Sequence, residues 1–215
     1  MNMIRVLLSA ILFLHQAPIV RPQILAPIVA NVQQGGAPFS ASDTFTGMDG
    51  TTLEMHDACW DVTVGGFYLG GGGTVLVPDT PGPDFAVWTC GTPANDQYSE
   101  VTLGGAFGGG VYGTGPTVRY DAGTDTGYAC EVKAAGTMYV LERTAGSNAV
   151  LNSGAYAPMA GDVIRLSIIG SALSCNVNGT PTVTTTDGTI ATGKPGIWAA
   201  DSAIYLLDAW AAEDE

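Results

Sequence analysis

The sequence is short of positive charge. Only 7 of its 215 residues are Lys or Arg, against 20 Asp or Glu, and the net charge is −13. A surface this acidic repels phosphate backbones, which argues against a nucleic-acid partner. Histidine is nearly absent: His15 and His56 stand far apart. No histidine-built metal site or catalytic triad is expected within the chain. The four cysteines, Cys59, Cys90, Cys130 and Cys175, make no C-x-x-C knuckle and lack the spacing of a disulfide-dense scaffold. Cys130 and Cys175 fall in apolar strand patterns, which predicts buried thiols acting as small hydrophobes. One or two bridges would fit a chain that works outside a cell. Charged residues make up only 13% of the chain, while Gly numbers 30 and Pro 12. That composition describes strands and tight turns rather than helices.

The pattern that is present is β. Residues 162–169 alternate, with Ile164, Leu166 and Ile168 on one side and Val163, Arg165, Ser167 and Ile169 on the other. The first set predicts a core face. Gly170 and Ser171 fit a two-residue turn, and residues 173–177 alternate again. Asn178 and Gly179 are a strong hairpin signal, and residues 180–186 return as a β-branched strand. No helix is available to cover this meander, so its apolar face must meet a second sheet.

Other strands are expected at residues 59–64, 85–90, 98–103, 117–120, 128–133, 137–143 and 203–209, with a short strand and loop over 148–156 and a turn over 192–196 leading into 197–199. The glycine-rich stretch 65–73 lacks the Lys-Ser or Lys-Thr of a phosphate loop and reads as an edge loop. The acidic tip, Glu213 to Glu215, reads as a solvated tail.

The N-terminal region differs. Residues 6–14, VLLSAILFL, follow Arg5 and resemble the h-region of a secretory signal, but the flank HQAPIVRPQILAPIVA offers no clean A-x-A site. The run is too short to span a bilayer. Pro18, Pro22, Pro27 and Pro38 exclude a helix beyond it. Residues 1–41 are therefore expected to be a retained, extended apolar arm that docks on neighbouring subunits. Residues 42–215 form the folded domain.

Three passages carry a resemblance: VRYDAGTDTGYACEV, GDVIRLSIIGSALSCNVNG and TIATGKPGIWAADSAIYLLDAWAAE, with DTFTGMDGTTL as a start. Together they resemble the concanavalin A-like lectin/glucanase (laminin G-like) jelly roll, in the version carried by tailed-phage virion proteins and some secreted bacterial proteins. The resemblance covers roughly residues 42 to 212. It implies an all-β jelly-roll sandwich of two antiparallel sheets. The glucanases of that family place paired Glu around an Asp on one strand, as acid and nucleophile require. Here Glu100, Glu131 and Glu142 are isolated, and Asp208, Glu213, Asp214 and Glu215 lie at the end. Some members bind Ca²⁺ in rim loops; Asp121 and Asp125 have suitable spacing, but an Asp-capped turn explains them. Asn178-Gly179-Thr180 matches a glycosylation sequon and reads as the hairpin turn. Trp60, Trp88, Trp198 and Trp210 could stack on sugars, yet Trp88 and Trp198 sit in core-like patterns.

These features lead to the expectation of a non-enzymatic virion structural protein of a tailed phage: a head-decoration, fibre or tail component. Its arm would anchor an exposed jelly roll to other virion proteins and to copies of itself. No catalytic, cofactor-binding or metal-ligating residues and no cofactor are assigned. The alternative is a secreted glycan-binding, lectin-like module with a cleaved signal peptide.

Overall fold

The computed structural model describes residues 37–71, 75–78, 83–105, 113–200 and 207–215. The expected arm lies outside them up to residue 36. Fifteen strands are described: β1 (Ser40–Asp43), β2 (Trp60–Val64), β3 (Phe67–Gly70), β4 (Val75–Pro78), β5 (Pro83–Trp88), β6 (Gln97–Leu103), β7 (Gly113–Asp121) and β8 (Thr126–Lys133), then β9 (Thr137–Thr144), β10 (Ser147–Ala155), β11 (Val163–Ile169), β12 (Ala172–Val177), β13 (Thr180–Thr186), β14 (Lys194–Ala200) and β15 (Leu207–Asp214). One helical turn, Leu53–His56, interrupts them.

The strands make two antiparallel sheets. The eight-stranded sheet runs β13-β12-β11-β6-β15-β4-β3, with β1 on the free end of β15, and the seven-stranded sheet runs β10-β9-β8-β7-β14-β5-β2. Ile164, Leu166 and Ile168 are fully buried, as their alternation predicts, and meet Tyr128, Cys130, Val132 and Val140 from the opposite sheet. Trp60, Trp88 and Trp210 form an edge-to-face and tilted cluster at one end of this core, with centroids 4.7 to 5.4 Å apart. The turn between β12 and β13 has Asn178 at φ 49° and Gly179 at φ 78°, the pair of positive angles a two-residue hairpin needs.

Three expectations are corrected. The cysteines are not free: Cys59 joins Cys90, and Cys130 joins Cys175. The second bridge ties β8 to β12 and so links the two sheets. Within the glycine-rich stretch, Phe67–Gly70 is a strand, because Phe67 and Leu69 alternate into the core while one edge pairs with β4. The acidic tip is no tail. Glu213 and Asp214 belong to β15, and the Asp214 carboxylate accepts the backbone N–H of Phe39 (2.9 Å) and of Ala94 (2.6 Å). Phe39 is itself in the core, so the sandwich takes in the chain from there.

Candidate functional site

The outer face of the seven-stranded sheet is unusual, because it carries a second apolar cluster: Phe85, Val87, Tyr120, Ala129, Leu141 and Trp198. Phe85 stacks on Tyr120 (4.8 Å between centroids, 9°) and on Trp198 (5.7 Å). Trp198 is thus buried, as its pattern suggests, but on this outer face rather than between the sheets.

Tyr120 reaches this face through a β-bulge. Val118 points into the core, and strict alternation would send Tyr120 there too. Arg119 instead takes φ 48°, and the pairing of β7 with both β8 and β14 slips by one residue at this point. The extra residue turns Tyr120 outward beside Lys194. The Arg119 side chain goes the other way. It is 3% exposed and donates to the carbonyls of Asn95 (2.8 Å), Ile190 (2.9 Å) and Gly170 (2.9 Å). Those charge-assisted bonds offset the strained backbone angle. The segment before β14 crosses the bulge so closely that a Cβ on Gly193 would lie 2.2 Å from the carbonyl carbon of Arg119.

This geometry leaves an open cleft of about 230 Å³ beside the bulge. Val87 and Tyr120 form its floor; Asp61, Asp121, Thr192 and Lys194 line it. Asp61 pairs laterally with Val87, and Lys194 with Tyr120, so four strands contribute. The Lys194 ammonium donates to the Thr89 carbonyl (3.2 Å), which leaves two of its three hydrogens to offer. The Tyr120 hydroxyl donates to Asp125, and Arg143 grips both oxygens of that carboxylate (2.5 and 2.7 Å). Burial first, and the Asp125 partner second, push the Tyr120 hydroxyl up to about 12, so it stays protonated.

The remaining candidates are dispersed. Glu100 pairs with Arg165 (2.7 Å) in the eight-stranded sheet, and Arg165 lies 3.8 Å from the centre of the Tyr98 ring. Glu131 shares the outer face with Ala129, 4% exposed and 3.6 Å from Lys133. Glu142 lies opposite Tyr128 in the register and accepts from Thr189 (2.6 Å). The three glutamates therefore occupy three different surroundings and do not pair with one another; Glu142 instead lies near Asp187, with the Thr189 hydroxyl 2.6 Å from each carboxylate. Asp125 is consumed by Arg143, and Asp121 caps its own turn through Gly123 N–H and Thr124. No cluster of three metal-ligating side chains occurs among the described residues. Asn178 holds Val163 N–H and Asp162, which makes it a turn anchor.

Three aspartates give the fold an acid limit. Burial alone would raise Asp125, Asp162 and Asp187. Arg143 and Tyr120 reverse this for the first, Tyr156 and Asn178 for the second, and Thr189 and Tyr128 for the third, so all three fall below their ordinary 3.8. A carboxyl depressed on folding stabilises above its unfolded value and loses that contribution as pH falls through the folded one. Melting points measured downward from pH 5 are expected to drop steadily below about pH 4. A midpoint unchanged at pH 3 would contradict these assignments.

Glu131 behaves oppositely. Burial raises its carboxyl above 4.5, with Lys133 only partly compensating. Stability is then lost as pH rises from 4.5 through the raised folded value. Glu131→Gln is expected to melt higher than the parent at pH 7 and level with it at pH 4. A lower midpoint at pH 7 would show that the Lys133 pair outweighs burial.

No family model matches the sequence, and no curated protein is similar to it in sequence. Solved structures are similar in fold. The carbohydrate-binding module CBM66 from Bacillus subtilis aligns with a TM-score of 0.56 at 15% identity, over 79% of this chain and 96% of that one. The exoplasmic/lumenal domain of VIP36, in its Ca²⁺/Man3GlcNAc-bound form, aligns at 0.59 and 10% identity, over 82% and 88%. The Crh5 transglycosylase aligns at 0.57 and 13%, over 81% and 84%. At these identities the likeness speaks to fold alone, and with the two antiparallel sheets described above it shows that the chain folds as a concanavalin A-like jelly-roll sandwich.

Proposed function

We propose that the chain is a non-catalytic, glycan-binding module of an oxidising compartment. The observation that carries this reading is the cleft where the β7 bulge turns Tyr120 outward beside Asp61 and Lys194. A small concave site with an apolar floor and a few convergent polar groups suits a sugar, which has apolar faces and hydroxyl edges. The carbohydrate-binding module and the VIP36 domain of like fold support the ligand class. The scatter of Glu100, Glu131 and Glu142 supports binding without hydrolysis.

All four cysteines are paired, which suits secretion rather than a reducing cytosol. In this reading the apolar residues 6–14 act as a secretion signal. The virion reading draws on the retained, Pro-punctuated arm of residues 1–41, the acidic surface and the lack of a paired-carboxylate strand in the sequence, whereas the carbohydrate-binding structures of like fold support the glycan reading. A glycan array probed with the full chain, followed by a reducing-sugar assay on the bound glycans, tests the proposal. Binding without sugar release is expected. Release of reducing ends would make the chain an enzyme, and silence across the array would end the glycan reading.

A further inference from the structure

We infer that the Cys59–Cys90 bridge is a redox clasp on the wall of the cleft, one that a dithiol opens in the folded chain while Cys130–Cys175 stays closed. The inference concerns regulation of the proposed binding cleft, and it rests on the glycan-binding reading only for the binding arm of its test.

The two bridges differ in access. Cys130 and Cys175 are fully buried in the layer between the sheets, where no thiolate reaches them while the sandwich is folded. Cys90 is exposed and Cys59 only half-buried. Cys90 also lines an open hollow of about 570 Å³ beside Pro38, Phe39 and Trp88, which gives a small dithiol its approach. Exposed bridges are the labile ones in thiol–disulfide exchange. A thiolate of the dithiol attacks the Cys90 sulfur, and the Cys59 sulfur leaves as a thiolate. The second thiolate of the dithiol then displaces the Cys90 sulfur. The two cysteine thiolates take up the two protons that the dithiol has lost, so one cystine becomes two thiols as one dithiol becomes a disulfide.

The exposed bridge closes the end of the β2–β5 pair, where Trp60 lies opposite Trp88 and Asp61 opposite Val87. β2 is the edge of its sheet, with β5 as its lateral neighbour among the described strands. Asp61, just past Cys59, and Thr89, just before Cys90, both line the cleft. Thr89 hangs from the Cys59 carbonyl through its N–H (2.6 Å) and its hydroxyl (2.8 Å). The Lys194 ammonium in turn donates to the Thr89 carbonyl (3.2 Å). Contacts therefore run from the bridge through Thr89 to Lys194, and along β2 to Asp61. Trp60 remains anchored by its burial and by its indole N–H bond to Asp43 (2.8 Å), so the opened chain keeps its fold. What loosens is the segment around Thr89 and the cleft wall that it supports.

The test begins with the full chain, undenatured, in dithiothreitol, followed by alkylation with iodoacetamide and peptide mass spectrometry. Label is expected at Cys59 and Cys90 but not at Cys130 or Cys175, with the melting transition still cooperative. Label at all four together, or at none short of unfolding, would overturn the clasp. Amide hydrogen exchange of the oxidised and reduced chains is the second measurement. Exchange is expected to quicken at Asp61, Thr89 and Lys194 and to stay unchanged in β11 and β12. Equal exchange in both redox states would make the bridge a plain staple and overturn the inference. For a glycan selected on the array, the reduced chain is expected to bind about fivefold or more weakly, the low end of coupling between sites. Reoxidation should restore the parent's affinity, whereas the double variant Cys59→Ser, Cys90→Ser should bind weakly in either state. Equal affinity in both redox states would end the clasp's hold on the cleft while leaving glycan binding intact. If no glycan binds the parent, the glycan reading falls, and the clasp is decided by labelling and exchange.

Discussion

Replacing Cys130 and Cys175 together by serine is expected to lower stability by roughly 4 kcal/mol, the loop-closure value for a bridge of this span. The two residues are 45 apart in sequence and lie in opposite sheets. Without the bridge the unfolded chain gains the freedom of that whole loop. The folded core also keeps two buried hydroxyls where it had a sulfur pair, since both positions are fully buried. For a chain of this size the melting midpoint should fall on the order of 10 °C. Thermal unfolding of the double variant beside the parent reads this directly. A midpoint within a degree or two of the parent would mean that the sheets are held without the bridge.

Leu166→Asp is expected to prevent folding. Leu166 is fully buried and lies between Cys175 on β12 and Ser99 on β6, in the apolar layer shared by both sheets. A carboxylate there has no cationic partner, and burying it costs on the order of several kcal/mol, a large share of a domain's stability. Ser167→Asp, one position on, faces outward and should fold normally. Soluble yield and circular dichroism of the pair separate the two faces. A reversed result would shift the β11 register by one residue, which exchanges every side chain between core and solvent.

Much of the sandwich was legible because alternation reports burial locally. Ile164, Leu166 and Ile168 announced their face, and Asn178 with Gly179 announced their turn. The candidate site was not legible. TVRY reads as an unbroken strand, and nothing in it signals that Arg119 will adopt a positive φ and turn Tyr120 to the other side. That bulge is stabilised by carbonyls at positions 95, 170 and 190, which only the fold brings together. The cysteine pairing was hidden for the same reason: four cysteines allow three pairings, and spacing does not choose among them. The acidic end misled because charge at a terminus suggests solvation, whereas Asp214 is spent on two backbone N–H groups from distant loops. One missed strand did leave a signal. Phe67 and Leu69 alternate within the glycines, and the glycines drew attention from them.

A jelly roll that binds sugar at the bulge end of its seven-stranded sheet must show that binding at the residues of the cleft. Amide and side-chain NMR shifts, followed while a glycan selected from the array is titrated into the full chain, test it most directly. Saturable shifts are expected at Asp61, Tyr120, Asp121, Gly193 and Lys194, with the eight-stranded sheet silent. Shifts confined to the eight-stranded sheet, around Ser167 and Thr184, would contradict it.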